Sequence, residues 1–157
     1  MFLHDVFTPE YIKTDLESED KDEAFEELAD FYCQKSRLNV REEILNALKK
    51  REAKMSTGIQ KGIAIPHGNT NAVSSVCGVL GISRRGIDYD ALDGEPVYLL
   101  FMIVAPEKNT EKHLRILKLL AELLENPQFY MDLQMQKDPQ SVYKIICKYE
   151  DMLAEME

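Results

Sequence analysis

Hydrophobic residues along the chain fall into continuous runs and into segments with helical spacing. The continuous runs cover residues 63–65, 73–83 and 97–104, and each predicts a strand. The last run is rich in bulky side chains, which is typical of a central strand buried on both faces. Residues 6–12 form a weaker strand-like segment that Pro9 interrupts. Turns are predicted at residues 84–86 and 93–96, where glycine, proline and charged residues cluster.

Other segments place apolar residues three and four positions apart, which predicts amphipathic helices. The residues predicted to cap these helices are Asp20, Asn39, Thr110 and Asp138, whereas Asn126-Pro127 is predicted to end one helix and to start a short one. A glutamate follows each of the first two caps after three residues, as in a capping box. In the helix near Thr110, His113 falls in the first turn, on or near the buried face. The last helix is predicted to place residues 142, 145, 146, 149 and 152 on one side.

These elements predict the fold class. Predicted helices flank the apolar strands on both sides in sequence, which is typical of an α/β protein. A chain of 157 residues has the length of one domain. We therefore expect residues 1–157 to form a single α/β domain, with a mixed central β-sheet flanked by helices on both faces.

Composition and charge exclude several function classes. The net charge of −9 argues against binding to nucleic acid or to an anionic membrane. The three cysteines, Cys33, Cys77 and Cys147, are far apart, which disfavours zinc and a disulfide framework and fits a reducing cytoplasm. The N-terminus shows no signal-peptide pattern, and no apolar run approaches the ~20 residues of a membrane span. A cytoplasmic location is therefore predicted.

Candidate chemistry is concentrated in residues 57–69. The apolar run at residues 63–65 stops at Pro66, and His67 and Gly68 follow. Glycine readily adopts positive φ, so the pattern predicts a stiff turn that presents the His67 imidazole beside backbone N–H groups able to bind an anion. On residue types alone, a histidine beside such a turn is more often an ordinary surface residue than a catalyst. Spacing does not decide between these two interpretations.

Residues 62–68, Gly-Ile-Ala-Ile-Pro-His-Gly, resemble the phosphorylation-site motif of the fructose/mannitol-type IIA proteins of the bacterial phosphoenolpyruvate-dependent sugar phosphotransferase system. The similarity extends over nearly the whole chain. It includes Arg51-Glu52, residues 56–59, residues 86–88 and 92–97, Ala105-Pro106, and the segment around His113-Leu114. Gln60 departs from the pattern, since the family often has glycine there, but it lies outside the His67 segment.

The resemblance implies a phosphotransferase component that carries a phosphoryl group on histidine. His67 would accept the group from the phosphohistidine of HPr and pass it to a cysteine of a IIB protein or domain. A membrane IIC domain would take part only indirectly. His113 matches the family's second active-site histidine, and Arg51 matches its active-site arginine. Without the resemblance, His113 would be interpreted as an ordinary helix-face histidine and Arg51 as a cation at a helix C-terminus.

The physical chemistry of these residues suits such roles. A neutral imidazole has a lone pair available near pH 7, and phosphoryl transfer depends on positioning and charge stabilisation. Neither a cofactor nor a metal is expected, and the ATP-binding P-loop pattern is missing from the sequence. The acidic net charge would suit a donor with a basic rim. Ser56 and Thr57 could either donate to phosphate or shape the loop.

Two functions remain open at this level. The favoured one is transport of a sugar or sugar alcohol. The alternative is regulation, because the nitrogen-related members of the family share the motif and control partner proteins through their phosphorylation state. A domain without phosphoryl chemistry is disfavoured, since His67, His113 and Arg51 are all present. Neither the sugar nor the oligomeric state can be predicted from these patterns.

Overall fold

A computed structural model describes residues 1–108 and 110–156, and for Gln60 the backbone only. The helices are α1 (Leu3–Val6), α2 (Lys21–Ser36), α3 (Arg41–Glu52), α4 (Thr110–Leu124), α5 (Pro127–Met135) and α6 (Pro139–Glu155). The strands are β1 (Ile12–Lys13), β2 (Gly58–Gln60), β3 (Ile63–Ala64), β4 (His67–Asn69), β5 (Cys77–Ile87) and β6 (Val97–Ala105). A 3-10 turn covers Pro9–Tyr11. In the part of the chain that is described, none of the helices has the length and apolar character needed to cross a bilayer.

The sheet is built around β6. Its strand order is β1-β5-β6-β3-β2, and β4 also pairs with β6. Strand β5 runs antiparallel to β6, whereas β3 and β4 run parallel to it. The first half of β6 pairs with β3, with Ile63 opposite Leu99, and its second half pairs with β4, with His67 opposite Ile103. The predicted mixed sheet, with residues 97–104 as a buried central strand, is confirmed.

Helices cover both faces of this sheet. Along β6, Phe101 and Ile103 belong to the hydrophobic core under α4, α5 and α6. Leu100 and Met102 belong to the core under α2 and α3. Successive side chains of a strand point to opposite faces, so the uninterrupted apolar run of β6 supplies both cores. The predicted α/β architecture with helices on both faces is therefore confirmed.

Two of the predicted helix caps, Asp20 and Asp138, are confirmed, and Asn126 caps the short helix that was predicted to start there. In each case the cap side chain accepts a hydrogen bond from a backbone N–H in the first turn, which satisfies a donor that lacks a partner within the helix. The bonds are Glu23 N–H to Asp20 at 2.9 Å, Gln128 N–H to Asn126 at 3.0 Å, and Ser141 N–H to Asp138 at 2.9 Å.

The other cap predictions are wrong in detail. Helix α3 begins one residue later than Asn39 predicts, and its N-cap is Val40, whose side chain has no polar atom. Thr110 is the first residue of α4 rather than the residue before it. The Glu23 carboxylate accepts from Glu19 N–H at 3.0 Å instead of closing a box with the cap residue. Caps depend on the exact backbone position, which periodicity locates only within a residue or two.

Three predicted boundaries also differ from the structure. The strand predicted from residue 73 begins at Cys77. Residues 6–12 form the end of α1, the 3-10 turn and the start of β1, because Pro9 occupies the first position of that turn. Residues 84–86 do not turn the chain but continue β5. There the ladder shifts register between Ile82 and Ile87, and Gly86 has φ of 91°. The turn at residues 93–96 is confirmed, with Gly94 at φ of 74°.

The buried side of α6 contains one polar residue that the apolar pattern did not predict. Glu150 is buried, whereas Met152 is 45% exposed. The Glu150 carboxylate accepts hydrogen bonds from the backbone N–H groups of Leu3 at 2.7 Å and His4 at 2.9 Å. These donors open α1, and a buried helix start needs an acceptor from elsewhere in the chain. Glu150 supplies it and ties the N-terminus to α6.

Candidate active site

His67 is the first residue of β4 and does not lie on a turn, so the predicted turn is wrong. Ile103 N–H donates to the carbonyl of Pro66 at 3.0 Å, and β4 continues as a strand parallel to β6. Gly68 does not have positive φ. A Cβ at this position would lie 2.6 Å from the carbonyl oxygen of Ala47 in α3. The glycine is therefore required by close packing against a helix, and the predicted anion-binding turn is not formed.

The His67 ring is held by its own strand. Its Nδ1 lies 2.8 Å from the carbonyl oxygen of Ile65. A carbonyl oxygen only accepts hydrogen bonds, so Nδ1 carries the proton and Nε2 keeps its lone pair. Burial, the largest cause, lowers the pKa of His67, and the positive charge of Arg51 lowers it further against the opposing effects of the Ile65 bond and Glu52. Burial and Arg51 therefore favour the neutral imidazole.

His113 lies next to His67. It occupies the first turn of α4 and is only 6% exposed, as its predicted place near the buried face requires. The two ring centroids are 5.7 Å apart, and the ring planes meet at 78°. Burial and the neighbouring His67 both lower the pKa of His113. Within residues 1–108 and 110–156, the buried Nε2 atom of His113 has no hydrogen-bond partner.

Arg51 completes the set of residues predicted for the site. It lies in the last turn of α3, and its Nη1 donates to the carbonyl of Met55 at 2.9 Å. Arg51, His67 and His113 line one pocket of about 400 Å³. Other side chains lining this pocket include Lys50, Lys54, Asn69, Glu107 and Leu114. The structure thus brings together the three predicted residues from three separate elements, α3, β4 and α4.

The charge of the pocket differs from that of the whole chain. Among its described lining residues, Lys50, Arg51 and Lys54 are cationic, whereas Glu107 is the one carboxylate. The overall charge of −9 therefore does not describe this surface. The net charge was expected to suit a donor with a basic rim, but the described residues that line the pocket instead suit an anion. The spacing of Lys50 and Lys54, four residues apart in the chain, is the sequence signal that was missed.

Ser56 and Thr57 shape the loop before β2. The Thr57 hydroxyl donates to the Glu52 carboxylate at 2.6 Å and accepts from the Tyr89 hydroxyl at 2.7 Å. Thr57 N–H also donates to Glu52 at 2.8 Å. The Ser56 hydroxyl accepts from Gly58 N–H at 3.1 Å. These contacts favour the loop-shaping interpretation of both residues, while the side chain of Gln60 lies outside the described residues.

Comparison with known families identifies the chain. The family model described as "Phosphoenolpyruvate-dependent sugar phosphotransferase system, EIIA 2" matches residues 5–149. The chain belongs to this EIIA family. The family predicted from the motif resemblance is therefore confirmed, and the mixed sheet with its helices is the fold of that family.

The proteins similar to this EIIA chain include fructose-specific components and nitrogen regulatory proteins. The fructose-specific EIIA component of Haloferax volcanii is 37% identical over 82% of this chain and 83% of its own length. The fructose-specific EIIABC component of Bacillus subtilis is 33% identical over 96% of this chain, which spans only 24% of that relative. The nitrogen regulatory protein IIA-Ntr of Neisseria meningitidis has a similar structure, with a TM-score of 0.84, 30% identity, and coverage of 92% of this chain and 98% of its own.

Proposed function

We propose that residues 1–157 form a single EIIA domain that carries a phosphoryl group on His67. The observation that carries this proposal is the Ile65 carbonyl bond to Nδ1, which leaves Nε2 of a neutral, pocket-lining imidazole with a free lone pair. An unprotonated ring nitrogen is what a histidine nucleophile needs. The proposed donor is the phosphohistidine of HPr.

The proposed step exchanges one nitrogen–phosphorus bond for another. The Nε2 lone pair of His67 attacks the phosphorus in line, and the bond between phosphorus and the HPr histidine breaks. The electron pair of that bond returns to the HPr imidazole, so nothing is oxidised or reduced. Throughout, the proton stays on His67 Nδ1, which continues to donate to the Ile65 carbonyl. Transfer of this kind is governed by alignment and by stabilisation of the phosphoryl oxygens.

The cations of the pocket supply that stabilisation in the proposal. Arg51 and the two lysines, Lys50 and Lys54, surround the space into which the phosphoryl oxygens project. His113 lies in the first turn of α4, where the helix dipole favours negative charge, so this helix start would also stabilise the phosphoryl group. No metal or cofactor takes part in the proposed chemistry, because the protein cations perform the charge stabilisation.

From His67 the group passes, in this proposal, to a cysteine of a IIB protein or domain during uptake of a sugar. The fructose-specific names of two relatives support the transport role. A membrane IIC component would meet the phosphoryl group only through IIB. In this reaction the cysteine thiolate attacks phosphorus, the bond to His67 breaks, and the electron pair returns to Nε2.

The second candidate is a regulatory role. The TM-score of 0.84 to IIA-Ntr of Neisseria meningitidis favours it. In that case His67 would still accept a phosphoryl group, and the phosphorylation state would control binding to another protein. Both functions share the acceptance step and differ only in the fate of the phosphoryl group afterwards.

Intact-mass measurement with phosphoenolpyruvate, enzyme I and HPr tests the shared step. We expect an acid-labile phosphoryl adduct on the wild-type protein and none on His67→Ala. His4→Gln is the matched control, because His4 contacts Glu150 rather than the pocket and glutamine keeps a donor for it. An unmodified wild-type protein beside fully phosphorylated HPr would contradict the proposal. Adding a purified IIB protein then separates the roles, since the transport function requires the adduct to move to a IIB cysteine.

A further inference from the structure

Asn69 contacts the second histidine of the site, His113. Its Nδ2 lies 3.3 Å from His113 Nδ1 and 3.5 Å from the carbonyl oxygens of both Ala105 and Pro106. Nothing in the sequence pattern singled this residue out. It follows the Pro66-His67-Gly68 segment directly and lies on β4, two positions after His67.

The two carbonyls determine which way the Asn69 amide points. If the side chain were turned over, its Oδ1 would lie against two carbonyl oxygens, and none of the three atoms could donate. With the NH2 group on that side, each carbonyl is near a donor. The amide nitrogen is therefore the atom that faces His113, and an amide nitrogen donates hydrogen bonds without accepting them.

The orientation of the amide decides the tautomer of His113. Since Asn69 Nδ2 donates, His113 Nδ1 must accept with its lone pair, and the single proton of the neutral ring is on Nε2. That N–H group is buried and has no partner among residues 1–108 and 110–156. A buried donor without an acceptor is costly, and such groups are found where a ligand supplies the missing partner.

We propose that Asn69 is a positioning residue that holds His113 in the Nε2–H tautomer, so that the ring offers a hydrogen-bond donor to the phosphoryl group on His67. The part that concerns the phosphoryl group rests on the function proposed above. The tautomer itself follows from the contacts of Asn69 alone.

The two histidines are then held in opposite tautomers. His67 has its proton on Nδ1 and its lone pair on Nε2, whereas His113 has its lone pair on Nδ1 and its proton on Nε2. One ring can bond to phosphorus while the other donates to a phosphoryl oxygen. Residues two apart on a strand point to the same face, so Asn69 shares the face of β4 from which His67 projects.

Nitrogen NMR of the imidazole rings tests the tautomer directly. In protein labelled with ¹⁵N-histidine and held near pH 8, we expect the wild-type His113 signals of a protonated Nε2 and an unprotonated Nδ1. Asn69→Asp replaces the donor with an acceptor of the same shape, so the His113 proton should move to Nδ1. Asn46→Asp adds the same charge at an exposed position of α3 and should leave the His113 signals unchanged.

Phosphoryl transfer from HPr gives the second readout. Asn69→Ala and Asn69→Asp should lower the rate of transfer about 10- to 100-fold, by analogy with the hydrogen-bond partners that orient metal-bound histidines. Asn46→Asp should transfer at the wild-type rate, and thermal unfolding of each variant shows that it is folded. Asn69→Gln keeps the amide donor on a longer side chain and should recover part of the lost rate.

The outcomes separate the inference from the proposed function. A wild-type His113 protonated on Nδ1, or a tautomer that stays unchanged in both Asn69→Ala and Asn69→Asp, would overturn the positioning role even if His67 is phosphorylated. Unchanged transfer rates in variants whose tautomer has changed would overturn it as well. Failure of the wild-type protein to accept a phosphoryl group, with the Nε2–H tautomer present, would instead overturn the carrier function.

Discussion

Gly68 lies against the backbone of Ala47 so closely that a methyl group added to it would be 2.6 Å from the Ala47 carbonyl oxygen. Because that atom belongs to the backbone of α3, it cannot move aside as a flexible side chain would. The contact joins the strand that carries His67 to the helix that carries Arg51. Two residues of the pocket are thereby held at a fixed separation by packing between them.

Replacing Gly68 with alanine should therefore force β4 and α3 apart. We expect Gly68→Ala to lower the free energy of unfolding by about 1–3 kcal/mol, the usual cost of overpacking a core. Urea denaturation measures this change. Gly94→Ala is the comparison, because no heavy atom lies within 4 Å of that position and only its positive φ opposes a side chain. A Gly68→Ala protein as stable as the wild type would show that α3 can shift to accommodate the added methyl group at little cost.

The lowered pKa values of His67 and His113 make stability depend on pH. Both rings have a pKa below 6.5 in the folded protein, chiefly because of burial, so the unfolded chain takes up protons first as the pH falls. The free energy of unfolding should therefore decrease as the pH drops through 6.5. Urea denaturation between pH 8 and 5 should show a smaller decrease for His67→Gln and for His113→Gln. If neither substitution changed the pH dependence of the free energy of unfolding, the two histidines would not be its cause.

The contact between Thr57 and Glu52 should contribute to stability. Thr57 is only 3% exposed, and its hydroxyl lies 2.6 Å from the Glu52 carboxylate. Thr57→Val keeps the shape but removes the hydroxyl, so we expect a loss of about 1–3 kcal/mol in the free energy of unfolding. Thr57→Ser keeps the hydroxyl and should lose less. A Thr57→Val protein as stable as the wild type would contradict a stabilising role of this hydroxyl.

The lysines of the pocket should accelerate acceptance of the phosphoryl group. We expect Lys50→Gln combined with Lys54→Gln to slow transfer from HPr about fivefold, equivalent to about 1 kcal/mol of electrostatic stabilisation. Lys49→Gln is the matched control, because Lys49 is exposed on the same helix but does not line the pocket. Rates are compared at low ionic strength. An equal effect of Lys49→Gln would point to the charge of the whole helix.

Local patterns were sufficient to predict the central strand and most helix starts. The run at residues 97–104 is long and apolar because both faces of β6 are buried, and Asp138 caps α6 through atoms three residues away. Such signals lie within a few neighbouring residues. The turn predicted at His67 failed because Gly68 is required by its contact with Ala47, which belongs to an earlier element, α3. No local pattern contains that contact.

The candidate site was predicted unevenly for the same reason. Similarity to a family motif indicated His67, His113 and Arg51, and the structure places all three around one pocket. Asn69 was missed because its partners, Ala105, Pro106 and His113, come from β6, the following loop and α4. A single asparagine after a glycine has no distinctive spacing, and its role depends on which ring it meets after folding.

The pairing of both β3 and β4 with the one strand β6 has a consequence for how the site can open. His67 is opposite Ile103 of the central strand β6, and Ile103 is fully buried. Segments with few buried contacts open locally at low free-energy cost, whereas central strands open only when the whole unit unfolds. Among the described strands β4 pairs with β6 alone, but Gly68 also packs directly against the backbone of α3. We therefore expect β4 to stay in place between β6 and α3 while a partner reaches the imidazole from outside.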